Sequence, residues 1–175
     1  IGSGTPDSPQ KLRSFRSLRV FNGKLYATVA DLLGVGVVIA SGNPAAGDNA
    51  WSQVSPSYDD FPVWALYPWN GWLYATTGQT MLQDPTKPGY GVYKTDGVNG
   101  WTPIVTNGGY QGRLPVRSPN GPSFGELNGQ LYVGMNRPTE LIRINADDTW
   151  DLVVGEPRMT PAGFKALEDE LKTLK

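Results

Sequence analysis

The chain contains neither histidine nor cysteine. Without histidine it loses the commonest general base, the commonest transition-metal ligand and every Ser-His-Asp or Cys-His arrangement. Without cysteine it can form no disulfide and has no thiolate chemistry, although this does not fix the compartment. Charge is sparse and balanced, with 15 Lys and Arg against 16 Asp and Glu and a net charge of -1. The basic residues form no run, so neither nucleic acid nor an anionic membrane is expected as a partner. No stretch approaches the roughly 20 apolar residues of a membrane-spanning helix. Gly34-Val35-Gly36 lacks the spacing and following helix of a dinucleotide fingerprint. Asp59-Asp60 and Asp147-Asp148 are adjacent acids without a calcium-loop pattern. No cofactor, metal site or catalytic residue is therefore expected. Any chemistry would fall to carboxylates, Tyr, Lys, Arg, Ser or Thr.

What is present is material for many short strands. Six Trp, eight Tyr and five Phe can fill a core, and 22 Gly with 15 Pro supply turns. A length of 175 residues suits one domain. The string Asn22-Gly23-Lys24-Leu25-Tyr26-Ala27 returns as Asn70-Gly71-Trp72-Leu73-Tyr74-Ala75 and as Asn128-Gly129-Gln130-Leu131-Tyr132-Val133, at separations of 48 and 58 residues. Trp51, Trp101 and Trp150 follow at spacings of 50 and 49. Two markers in the same order, three times over, define an internal repeat.

Each marker has a physical meaning. Asn-Gly between apolar runs is the favoured two-residue hairpin turn, because both central residues need positive φ. An apolar residue stands four positions before each Asn (Leu18, Leu66, Phe124), and a β-prone run follows each Gly. Third strands read at Val35 to Ile39, Gly91 to Lys94 and Glu140 to Ile144, and each Trp opens a fourth. Four antiparallel strands in about 50 residues is the size of a propeller blade.

The pattern from Ser14 to about Gly155 resembles the kelch-like and Asp-box (sialidase-type) propeller repeat families. Thr95-Asp96-Gly97 before Trp101 departs from Asp-box spacing, Asn145 to Trp150 lacks the Gly, and the first copy carries an insertion between Ser41 and Trp51. They read as degenerate Asp-boxes, which the resemblance implies fold a turn rather than catalyse. The expected fold is all-β: blades at 14–62, 63–122 and 123–160, preceded by an extension at 1–13. Propellers close with four to eight blades, so three would leave two apolar flanks in water. Half of a six-bladed ring is expected, completed by a second copy or another fragment; the alternative is a compact three-unit fold that curls its outer faces inward. Thr160-Pro161 reads as a helix start, and Phe164, Leu167, Leu171 and Leu174 form one apolar stripe, so a short amphipathic helix is expected at 161–175.

Long connections after second and fourth strands share one rim, where propellers often bind. On that rim Tyr90, Tyr110, Arg113, Arg117 and Arg137 are the candidate ligand residues. Guanidinium forks bind carboxylates, and aromatic rings stack on apolar sugar faces. Trp64, Tyr67, Trp69 and Trp72 concentrate in the middle repeat and are expected to pack in the core. The leading functional expectation is a non-catalytic module binding a glycan or protein. The alternatives are a sialidase-like glycoside hydrolase using carboxylates and Tyr, and a structural subunit of a larger propeller. The chain opens at Ile1 with Gly-Ser-Gly-Thr-Pro, which fits processing, trimming or an expression scar. A secreted or periplasmic location is the expectation.

Overall fold

The computed structural model describes residues 14–30, 36–57, 62–78, 89–108, 121–136 and 139–155, with Ala166, Asp169, Lys172 and Thr173. Twelve strands form three sheets. The first sheet comprises β1 (Ser14–Phe21), β2 (Lys24–Ala30), β3 (Gly36–Ser41) and β4 (Ser52–Gln53). The second comprises β5 (Val63–Trp69), β6 (Trp72–Gly78), β7 (Tyr90–Thr95) and β8 (Thr102–Gly108). The third comprises β9 (Ser123–Leu127), β10 (Gln130–Asn136), β11 (Thr139–Ile144) and β12 (Trp150–Val154). Each is an antiparallel meander with neighbours in sequence order, which is propeller-blade topology.

The three Asn-Gly turns are what the sequence requires. Asn22, Asn70 and Asn128 sit at φ 45°, 48° and 51°, and the glycines after them at 71°, 77° and 72°. That double positive φ matches the right-handed twist of the flanking strands. The Trp markers are less uniform than expected: Trp150 lies in β12, whereas Trp51 and Trp101 stand one residue before their strands. In the C-terminal segment, Ala166, Asp169, Lys172 and Thr173 are helical, and Lys172 reaches Asp169 at 3.6 Å. The rest of the expected helix lies outside the described residues, as does the extension at 1–13.

Because side chains alternate across a strand, each sheet has a leading face toward the preceding sheet and a trailing face toward the next. The trailing face of the first sheet (Phe21, Tyr26, Val38, Ala40) and the leading face of the second (Leu73, Ala75) bury one cluster, with Val63 and Leu66. Tyr74, Tyr90, Val92 and Val105 of the second sheet meet Leu131, Val133, Met135, Ile142 and Ile144 of the third in another. Each fully buried Val, Leu or Ile contributes about 1.5–3 kcal/mol, so these seams dominate stability. Trp101 closes the first seam by donating Nε1–H to the Val54 carbonyl at 2.8 Å.

Polar links fix the register of the seams. Tyr90 donates its hydroxyl to Glu140 at 2.5 Å, both groups at most 1% exposed. Lys94 Nζ reaches Asp148 at 2.5 Å while lying 4.0 Å above the Trp72 ring. Asn22 Nδ2 donates to the Asp96 carbonyl at 3.0 Å. Tyr26 meets the same turn: a Cβ on Gly97, held at φ 86°, would come 3.0 Å from its hydroxyl. Burial pushes the Tyr74 phenol up to about 12, with the Asp148 carboxylate adding to the shift. Burial raises Tyr26 as well, again with an aspartate of the next sheet, Asp96, contributing.

The expected pair of bare flanks is only half met. On the leading face of the first sheet Ala27, Val29, Val37 and Ile39 are none more than 4% exposed, with Trp51 packed against them. That flank is buried within the chain.

The acid-bearing turns fold themselves. Asp96 Oδ1 accepts the Val98 and Asn99 amides at 2.8 Å each, and Asp147 accepts the Thr149 hydroxyl at 2.6 Å. These bonds hold Asp96 and Asp147 below the ordinary carboxylate range, and Asp151 is lowered by its bond from Arg143. The unfolded chain therefore binds protons at higher pH than the folded one. The stability these groups contribute is present above the unfolded value of 3.8 and is lost as pH falls through the lower folded values. Melting temperature should hold from pH 7 down to about 5 and fall below about 4, less steeply in Asp96→Asn. A melting temperature unchanged at low pH would contradict this. Separately, Tyr90→Phe removes a donor from a buried carboxylate and should cost about 1–3 kcal/mol in urea unfolding. An unaltered midpoint would show that this bond does not hold the seam.

Candidate functional site

The first strands of the three sheets approach one another, β1 against β5 and β5 against β9. Between them runs a groove of about 360 Å³, lined by residues 16–19, 64–67 and 123–124. Its volume falls at the low end of small-molecule sites.

Two irregularities in strand pairing build it. In β1 the register shifts between Phe15 and Leu18, which places both Arg16 and Ser17 opposite Thr28. In β5 it shifts between Val63 and Ala65, at Trp64. A bulge bends its strand and re-aims a side chain. Here the bulged residues are Arg16 and Trp64, and the guanidinium carbon lies 3.9 Å from the Trp64 ring centroid. Ser17 ties the bulge down: its amide donates to Thr28 Oγ1 at 2.9 Å, and its hydroxyl accepts the Leu66 amide at 3.1 Å.

Trp64 is held firmly. Its Nε1–H donates to the Gly78 carbonyl at 3.3 Å, and Gly121 lies so close that a Cβ there would fall 1.9 Å from the ring. Only glycine permits that approach. Partial burial lowers the Arg16 pKa. Further along, Tyr67 donates to Glu126 at 3.2 Å and packs 5.9 Å from Phe124, while Arg19 Nη1 donates to the Leu18 carbonyl at 2.7 Å. Leu18 is 50% exposed and adds an apolar wall. The groove thus offers a cation held over a fixed indole, and a mixed apolar and hydroxyl lining.

The candidates chosen from the sequence fare differently. Tyr90 is not a loop residue. It opens β7 and is fully buried, because the strand begins one residue earlier than the Gly91 start suggests, which turns its ring into the seam between the second and third sheets. Tyr110, Arg113, Arg117 and Arg137 lie outside the described residues, as do Tyr58, Asp59 and Asp60. Of the aromatic concentration, Tyr67, Trp69 and Trp72 pack against the core as expected. Trp64 instead lines the groove. Arg16 is not legible as a site residue in the sequence, because a bulge breaks the alternation that marks which residues share a face. Among the described residues, no group of three or more His, Cys, Asp or Glu could hold a metal ion, and no helix is long and apolar enough to cross a membrane.

No family model matches the chain, and no curated protein matches it. Among solved structures it is similar to the GH43_1 enzyme from Xanthomonas citri, crystallised with xylose, at 17% identity and a TM-score of 0.43. The match covers 86% of this chain and 47% of that one, so the chain spans about half the length of that structure.

Proposed function

We propose that the chain is a non-catalytic binding module of propeller blades, acting outside the cytoplasm, with a glycan held in the groove between the first strands. One observation carries this reading: Arg16 and Trp64 are turned into a single groove by two separate bulges, with their relative position fixed at 3.9 Å. The guanidinium, held over the indole, donates to sugar hydroxyls or a ring carboxylate, and the apolar wall of the groove meets the C–H face of the ring. The Asp-bearing turns fit the same picture. They resemble Asp-boxes and fold their own hairpins, at the opposite end of the sheets from the loop rim. A sialidase-like hydrolase would need two carboxylates flanking the scissile bond. Among the described residues that line the groove there is no Asp or Glu, and nearby Glu126 accepts the Tyr67 hydroxyl.

Screening on a glycan array, followed by calorimetry on the best ligand, tests the reading. Trp64→Ala should weaken binding by about tenfold, about 1.4 kcal/mol, because Arg16 loses the ring that positions it. Arg16→Ala should weaken carboxylated sugars more than neutral ones. A ligand bound equally well by both variants would move the site elsewhere, and failure to bind any glycan would remove the proposal.

A further inference from the structure

The repeat lets every residue on the outer flank of the third sheet be compared with its counterparts in the first two. One position before each Asn-Gly turn stand Phe21, Trp69 and Leu127: the first is 8% exposed, the second packs against the core, and the third is 62% exposed. Four positions after each Asn stand Tyr26, Tyr74 and Tyr132: the first two are 2% exposed, the third only partly buried. Three positions after each Trp stand Val54, Ile104 and Val153: the first two pack into the seams, while Val153 is 49% exposed. The same face that the next sheet covers twice is thus left in water the third time.

The flank at the other end of the arc is different, since the leading face of the first sheet is buried within the chain. A head-to-tail ring would need both flanks open. A single open flank can instead be covered by the same flank of a second copy across a two-fold axis.

The charges on this face suit such pairing. Lys94 of the second sheet points its cation at a carboxylate of the following sheet, Asp148. Its counterpart in the third sheet is Arg143, paired with Tyr132 as Lys94 is with Tyr74. Arg143 instead reaches Asp151 on the adjacent strand at 2.6 Å, with side chains 42% and 51% exposed. Asn145 Nδ2 donates to the same carboxylate at 3.1 Å. Arg143 and Asp151 share this face with Leu127, Tyr132 and Val153, so a two-fold image of the face would set Arg143 of each copy opposite Asp151 of the other.

We infer that the outer face of the third sheet is a homodimer interface, closed by a second copy of the chain placed face to face on it. This pairing does not depend on the groove. Light scattering should give a mass of twice 19.0 kDa for the wild type in the micromolar range, dissociating on dilution. Val153→Arg and, independently, Leu127→Lys should give monomers with wild-type circular dichroism, because both sites are exposed in the single chain. Arg143→Glu alone should raise the dimer dissociation constant by at least tenfold. The double exchange Arg143→Asp with Asp151→Arg in one chain should restore pairing, since it preserves the complementarity. A wild type that stays monomeric at high micromolar concentration overturns the inference and leaves this face to a further blade. A dimer that survives both Val153→Arg and Leu127→Lys overturns it by placing the interface elsewhere.

Discussion

Covering the trailing face of one sheet with the leading face of the next is the constraint on which the rest of the molecule depends. A four-stranded antiparallel sheet with apolar residues on both faces cannot stand alone in water. Phe21, Tyr26, Val38 and Ala40 need the second sheet, and Tyr74, Tyr90, Val92 and Val105 need the third. Hydrophobic burial supplies most of the energy, but it is non-directional and would tolerate sliding. The Tyr90–Glu140 and Lys94–Asp148 bonds fix one sheet against the next, and the Asp-bearing turns fold the ends that receive Asn22, Tyr26 and Lys94.

The site follows from the same arrangement. Stacking sheets face to face brings their first strands together, and those strands have less to bury because their outer edge is open. They can therefore carry bulges, which in a central strand would break two ladders. The bulges in β1 and β5 turn Arg16 and Trp64 into the space between strands, and Gly121 and the Gly78 carbonyl keep the indole where it is. Specific side-chain placement is achieved at a position where the fold does not need regular pairing.

Much of this architecture can be read from the sequence. The Asn-Gly turns, the Leu-Tyr strands behind them and the Trp markers locate all three blades because each depends on local backbone chemistry: positive φ at two adjacent residues, and alternation of faces. The site is far less legible. Arg16 and Trp64 stand at bulges, where alternation fails, and they are brought together across 48 residues by sheet stacking that no local pattern encodes. Tyr90 shows the reverse difficulty. It follows a Gly- and Pro-rich segment, so it reads as a loop residue, yet it is the first residue of β7 and its ring lies in a seam. Glu140 reads as an ordinary strand acid because its partner is 50 residues away. The covered flank of the first sheet was likewise invisible, since the pattern of Ala27, Val29, Val37 and Ile39 specifies an apolar face but not what buries it.

The interlocking of consecutive sheets is tested most directly by a double-mutant cycle on the contact between the second and third. Lys94→Met and Asp148→Asn, singly and together, should show a coupling of about 1 kcal/mol or more in denaturant unfolding, because the two groups meet across the seam. Strict additivity, within about 0.3 kcal/mol, would mean that the two sheets are not joined there and would contradict the account.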